Sequence, residues 1–212
     1  IRDHGAIPGF LGYAGFPASL CISVNEQVVH GIPGTRRLEE GDLVSVDCGV
    51  ILNGYYGDSA YSFAVGEVSP EVGDLMARTK ESLYQGIQAA IVGNHIGDIG
   101  HAVQSHVESF GYSVVRELIG HGLGKDLHEK PDVPNYGRPG KGLKLQHGLV
   151  ICIEPMVNLG GKAIVQERDG WTIRTLDRKP SAHYEHAVAI TRDGTEVLST
   201  FEFIDEALAN RN

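Results

Sequence analysis

The chain has 212 residues, a formal net charge of −9, and 42% hydrophobic and 21% charged residues. That length suits one domain, or two fused halves sharing a core, and the mix is that of a soluble globular protein. The acidic balance argues against a general nucleic-acid binder, no apolar run approaches a membrane span, and three scattered cysteines (Cys21, Cys48, Cys152) give no disulfide framework and point to a reducing compartment.

In chain order, the sequence opens at Ile1 as if in the middle of a domain, so an upstream piece is expected. Glycine-punctuated strands follow. His30, in Val29-His30-Gly31-Ile32-Pro33, stands at a strand end before a turn; taken alone it reads as a structural or exposed histidine. A strand ending near Asp47 leads through Asn53-Gly54, a hairpin dipeptide, to a strand carrying Asp58. Ser69-Pro70 caps a helix with Val72, Leu75, Met76, Leu83, Ile87 and Ala90 at helical spacing, and Gly93 is the expected stop. Asp98 is expected to cap a second helix, with Ile99, Ala102, Val103, His106 and Phe110 on one side and Gly111 ending it. No other stretch reads clearly as helix. Segment 129–147 reads as a surface loop, and Asp193-Gly194 as a second hairpin turn.

A weak internal repeat pairs Gly41-Asp42-Leu43-Val44-Ser45-Val46-Asp47 with Gly148-Leu149-Val150-Ile151-Cys152-Ile153-Glu154. Each is a glycine, an apolar strand and then an acid, and each is followed by a strand with another acid, Asp58 or Glu185. The period of two sets Asp47 against a face of Val44, Val46, Cys48 and Val50, and Glu154 against Leu149, Ile151 and Ile153. Both apolar faces are expected to pack on helices. Acids are depleted inside strands. Four in related positions imply a cleft in which carboxylates repel and lose hydration, so that either protons or cations must neutralise them. Spacing alone leaves a metal site and a structural acid network equally open. His121, in Gly120-His121-Gly122-Leu123-Gly124, tips the balance towards metal, because its glycines permit a close backbone approach and an unusual conformation. His4, His95, His101, His106, His147, His183 and His186 read as structural or surface residues, and Cys48 and Cys152 as small core residues.

Five stretches, 12–34, 41–66, 117–131, 151–157 and 169–191, together resemble the type I methionine aminopeptidases of the pita-bread fold, in that family's order over nearly the whole chain. The resemblance implies an α+β fold, two pseudo-symmetric halves around a curved antiparallel sheet, forming one catalytic domain over 1–212 without the N-terminal extension the family carries. It implies that Asp47, Asp58, His121, Glu154 and Glu185 ligate two divalent metals. Asp58 and Glu185 would bridge both ions, and His30 and His128 would contact substrate. It places the methionine pocket on Phe10, Tyr13, Phe16, Cys21, Leu127 and Trp171. The short loop 129–147 leaves no room for the type II insertion.

One histidine and four carboxylates suit Mn, Fe or Co, and less clearly Zn. The expected reaction is removal of the initiator methionine from nascent chains with a small second residue. A hydroxide held between the metals would attack, Glu154 would take and return the proton, His128 would support the oxyanion, and His30 would orient the amide. The expected partners are polypeptide N-termini beginning with Met, and the ribosome, in the cytoplasm, for a monomer that binds neither nucleic acid nor membrane. Two rival readings are a prolidase-like X-Pro peptidase and a non-catalytic relative that uses the cleft for binding.

Overall fold

Residues 1–210 are described by a computed structural model, so the last two positions of the 1–212 span lie outside the described residues. The first half supplies β1 (Ile7–Pro8), β2 (Cys21–Val24), β3 (Gln27–Val29), β4 (Leu43–Leu52) and β5 (Tyr55–Ala64). Helices α1 (Pro70–Ala89) and α2 (Ile96–Glu108) follow, then β6 (Ser113–Val114), β7 (Gly120–Gly122), β8 (Glu129–Val133), β9 (Val150–Ile153) and β10 (Met156–Asn158). The chain ends with β11 (Ile164–Gln166), β12 (Ile173–Thr175), β13 (Ser181–His183), β14 (Glu185–Thr191), β15 (Gly194–Val197) and α3 (Glu202–Ala209). The main sheet runs β1-β4-β5-β14-β9-β7-β8, with β2 added to β4 and β15 to β14; two three-stranded sheets, β13-β10-β6 and β11-β12-β3, flank it. This is the α+β, pita-bread arrangement around a curved antiparallel sheet.

The internal repeat is visible in the pairing. β4 pairs with β5 and β9 with β14, both antiparallel, and β5 and β14 meet at Glu185↔Ala60 to join the halves. The glycine that opens each repeat has a left-handed backbone, Gly41 at φ 94° and Gly148 at φ 90°, a conformation that side chains with a Cβ resist. Asn53 (φ 52°) and Gly54 (φ 81°) form the mirror-image turn that suits the twist of β4 and β5. In the second hairpin Thr191 pairs with Gly194, so the loop is Arg192-Asp193 and Gly194 already belongs to β15.

Ser69 caps α1, its hydroxyl accepting from the Val72 amide at 3.3 Å, a contact worth about 1 kcal/mol. The helix stops at Ala89, ahead of Gly93, which takes φ 98° in the following turn. α2 begins two residues before Asp98. Asp98 is therefore not the cap: it lies in the first turn and its carboxylate accepts from the His95 amide at 2.7 Å and the Gly140 amide at 2.8 Å. α2 ends at Glu108, short of Gly111, which leaves Phe110 45% exposed.

Leu83 and Ile87 of α1 and Ile96 and Ile99 of α2 pack on Ile151, Ile153, Val188 and Ile190. Val72, Leu75, Val103 and Val107 pack on Leu43, Val157 and Ala182. Each such aliphatic side chain, fully buried, contributes about 2 kcal/mol. The back of Glu154's strand is thus covered by helices as expected. Asp47's strand is covered at its start, where Leu43 packs against α1 and α2, but Val46, Cys48 and Val50 on its back are only half-buried. Segment 129–147 is not all loop, since its first five residues form β8 against β7. α3 has no counterpart in the sequence reading. It is held by Phe201, buried among Tyr61, Tyr184 and His186, and by Lys80, which donates to Asp205 at 2.9 Å. Among the described residues no helix is long and apolar enough to cross a membrane.

Candidate metal centre

The order β4-β5-β14-β9 decides where the acids fall. Asp58 and Glu185 stand on the two inner strands, Asp47 on one outer strand, and Glu154 immediately after the other. His121 occupies the middle of β7, beside β9. The glycines around it serve close approach: a Cβ on Gly120 would strike the Cys152 carbonyl, and one on Gly122 the Lys130 carbonyl. Neither has a positive φ, so the unusual conformation expected there is absent. It is His30 that is strained instead, at φ 57° just after β3, a backbone state that in non-glycine residues gathers at functional sites.

These residues line one cleft of about 200 Å³. Asp47, Asp58, His121, Glu154 and Glu185 face it together with His30 and His128. Phe10, Tyr13, Phe16, Cys21, Leu127 and Trp171 line it as well, with Phe16 and Trp171 edge-to-face at 5.1 Å. Val29, Leu118, Ile119 and Met156 also line the cleft and were not anticipated, although each stands within two or three residues of a chemistry-bearing one.

The electrostatics of the cleft are those of crowded, dry carboxylates. Burial raises all four above their ordinary values, and mutual repulsion adds to this for Asp47, Glu154 and Glu185; Asp58 rises to about 7. One oxygen each of Asp47, Asp58 and Glu185 is buried without a hydrogen-bond partner, a costly state for a polar atom. His121 is held neutral, its value pushed down by burial to about 4. Its Nδ1–H donates to the Gly122 carbonyl at 2.9 Å, which leaves the Nε2 lone pair 3.5 Å from Glu154 Oε1. Two acceptors facing each other at that distance call for a cation or a proton between them, and a backbone-anchored imidazole is the usual form of a metal-binding histidine. Asp58, His121, Glu185 and Cys152 each offer one ligand atom within 4.8 Å of the others. This donor set fits a divalent ion.

Two residues read as structural belong to this neighbourhood. Cys152 is fully buried, and its thiol is pushed well up by burial and then by the charge of Glu185. His183 is 2% exposed, its Nε2 lies 3.9 Å from Glu154 Oε2 without a hydrogen-bond partner, and burial lowers it to about 3.

A pH dependence follows for the metal-free chain. Histidines with lowered values (His30, His121, His128, His183, His186) stabilise the fold as pH rises, and that gain is complete above about 6.5, their unfolded value. Carboxylates with raised values act the other way: their contribution is full below about pH 4 and is lost as pH rises through the folded values. Above pH 6.5 only the acids remain, Asp58 at about 7 and the others also raised. Urea unfolding of chelator-treated protein should therefore show stability falling from pH 6.5 to pH 8, by up to about 2 kcal/mol per retained proton. Saturating divalent metal should remove the fall. A flat profile without metal would mean the acids are not crowded.

The model of metallopeptidase family M24 matches residues 1–192. A methionine aminopeptidase of Clostridium acetobutylicum is 54% identical over 203 residues, 95% of this chain and 81% of the relative. The chain belongs to family M24. Within M24 the likeness to methionine aminopeptidases extends to structure: that of Rickettsia prowazekii superposes with a TM-score of 0.92 at 44% identity, covering 93% of this chain and 80% of the other. A prolidase from Pyrococcus furiosus shares the M24 fold alone, with a TM-score of 0.70 at 24% identity over 86% of this chain and 49% of the prolidase.

Proposed function

We propose that this chain is a metalloaminopeptidase that removes the initiator methionine from polypeptides with a small second residue. The observation that carries the reading is the juxtaposition, in one cleft, of four desolvated carboxylates, a neutral anchored histidine and an aromatic-lined apolar wall. A charge-dense centre beside an apolar seat suits a substrate with a free amine next to an uncharged, sulfur-bearing side chain, since thioethers pack well on aromatic rings.

Asp47, Asp58, His121, Glu154 and Glu185 would hold two divalent ions, of Mn, Fe, Co or Zn, with Asp58 and Glu185 shared because they occupy the inner strands. Bound ions would supply Lewis acidity and lower the pKa of water at the site. Glu154 would take the proton from the attacking water and deliver it to the leaving nitrogen. His128 would donate a hydrogen bond to the carbonyl oxygen as charge develops there. His30, fixed by its strained backbone, would orient the scissile amide. Asp47, on the outer strand, would attract the substrate's ammonium group. Phe10, Tyr13, Phe16, Cys21, Leu127 and Trp171 would enclose the methionine side chain. The Cys21 thiol, raised by burial and by the nearby acids, stays neutral and serves as wall.

The test is release of free methionine from a peptide beginning Met-Ala, against Leu-Ala and Met-Pro-Pro peptides, with Mn or Co and with chelator. The expected result is metal-dependent release from Met-Ala at least about 10-fold faster than leucine from Leu-Ala, the discrimination a shaped apolar pocket can give. Cleavage before proline regardless of the first residue would move the chain to the prolidase-like reading. No release with any metal would leave the cleft to binding.

A further inference from the structure

Resting on the reading of His128 as the donor to the carbonyl oxygen, the geometry points to Tyr13 as the residue that positions it: the Tyr13 hydroxyl donates to His128 Nδ1 and so fixes the proton of the neutral ring on Nε2. The two atoms lie 2.7 Å apart and the rings 5.4 Å apart at 55°. A phenol is a good donor and a weak acceptor, because its lone pairs are drawn into the ring, while the imidazole nitrogen is a good acceptor. The direction from hydroxyl to Nδ1 is therefore the favoured one. In a neutral histidine the bond made by one nitrogen decides the state of the other. His128 packs edge-on against His121 with ring centroids 4.3 Å apart, and both rings line the cleft.

The loop that delivers Tyr13 is built for this placement. Ala14 is held at φ 46° between Gly12 (φ 84°) and Gly15 (φ 88°), and the turn is closed by Gly12 N donating to Phe16 O at 2.8 Å and Tyr13 N donating to Phe10 O at 3.0 Å. A non-glycine residue in the left-handed region persists only where its surroundings impose it. Here the turn sets Phe16 into the apolar wall while Tyr13, 37% exposed, stands at the rim with its hydroxyl on His128. A ring needed only as wall would gain nothing from that oxygen. A methionine side chain seated in the pocket would exclude water from the bond and strengthen it.

The experiment compares wild type, Tyr13→Phe and His128→Asn. Nitrogen-15 NMR of labelled histidine distinguishes the two neutral tautomers, in metal-free protein and with diamagnetic Zn(II), and steady-state rates are read on a Met-Ala peptide with Mn(II). The expected result is an Nε2–H tautomer for His128 in wild type and a mixture in Tyr13→Phe. With it should come a kcat about five- to tenfold lower, the loss expected for one hydrogen bond, at a KM within about twofold and an unchanged melting temperature. An Nδ1–H tautomer in wild type overturns the inference, as does a Tyr13→Phe protein with the wild-type tautomer and kcat. His128→Asn at wild-type kcat sinks the reading of His128 and this inference with it. A slow His128→Asn beside an unaltered Tyr13→Phe sinks the inference alone.

Discussion

Replacing Glu185 with glutamine is expected to abolish activity and, at the same time, to stabilise the metal-free protein. Glu185 is 2% exposed, one of its oxygens has no hydrogen-bond partner, and burial is the main cause of its raised value, followed by the charges of Asp58 and Glu154. Glutamine keeps the shape of the side chain and removes the charge. The repulsion that Glu185 exerts on Asp47 is removed, so the folded value of Asp47 should drop and stability between pH 6.5 and 8 should decline less steeply than in wild type. Metal binding should suffer because Glu185 belongs to the tight ligand group. A bound ion is worth several kcal/mol to the transition state, so its loss should cost at least about 10³-fold in rate. Urea unfolding after chelation, calorimetric titration with Mn(II) and methionine release measure the three effects. Glu196→Gln, exposed on β15, is the control and should change none of them. A Glu185→Gln protein that is less stable without metal would show that the acids form a structural network and not a site awaiting a cation.

Opposite signs for stability and activity are the mark of a functional site, and the sequence carried much of this one because its logic is local. The period of two placed Asp47, Asp58 and Glu185 on strand faces, with Glu154 one residue beyond the end of β9, and Asn53-Gly54 formed the hairpin that brings Asp58 beside Asp47's strand. The glycines at 41 and 148 marked the same bend in both halves. Where the arrangement depends on tertiary packing, the sequence was silent. α3 is short and owes its position to Phe201 sitting among rings from two other strands. The back of β4 looked as apolar as that of β9, yet nothing local says that α1 and α2 meet β4 at Leu43 and leave Val46, Cys48 and Val50 half-buried. His183 was legible in part: it stands two residues before Glu185 with the same parity, although in the structure β13 ends at His183 and β14 begins only at Glu185. Cys152 shares the parity of Glu154 and could have been read; its small size made core packing the simpler account.

Glu154→Gln should lower kcat by about 10² to 10⁴-fold, the range for loss of a general acid–base group, with little change in KM. Glu154 is the acid whose surroundings best suit proton transfer. Its carbonyl oxygen accepts from Asn135 Nδ2 at 3.0 Å, which anchors the backbone just past β9. Its two carboxylate oxygens face different imidazoles, Oε1 towards His121 at 3.5 Å and Oε2 towards His183 at 3.9 Å. Burial, with the charges of Asp58 and Asp47, raises its value, so the carboxylate is a stronger base than an exposed glutamate. Glutamine retains the length and an oxygen able to bind a cation, but it cannot accept a proton. Ligand and base roles therefore separate on a metal titration. If Glu154 acts chiefly as ligand, raising Mn(II) should restore most of the wild-type rate. If it carries the proton, the rate should stay low at saturating metal, and the fall in kcat on the acid side of the pH profile should disappear because the group that must be ionised is gone. Calorimetry on the same protein gives the metal stoichiometry independently, so that loss of an ion is not mistaken for loss of a base. Recovery to near wild-type kcat at high Mn(II) would take the proton-transfer role away from Glu154 and leave it as a ligand only.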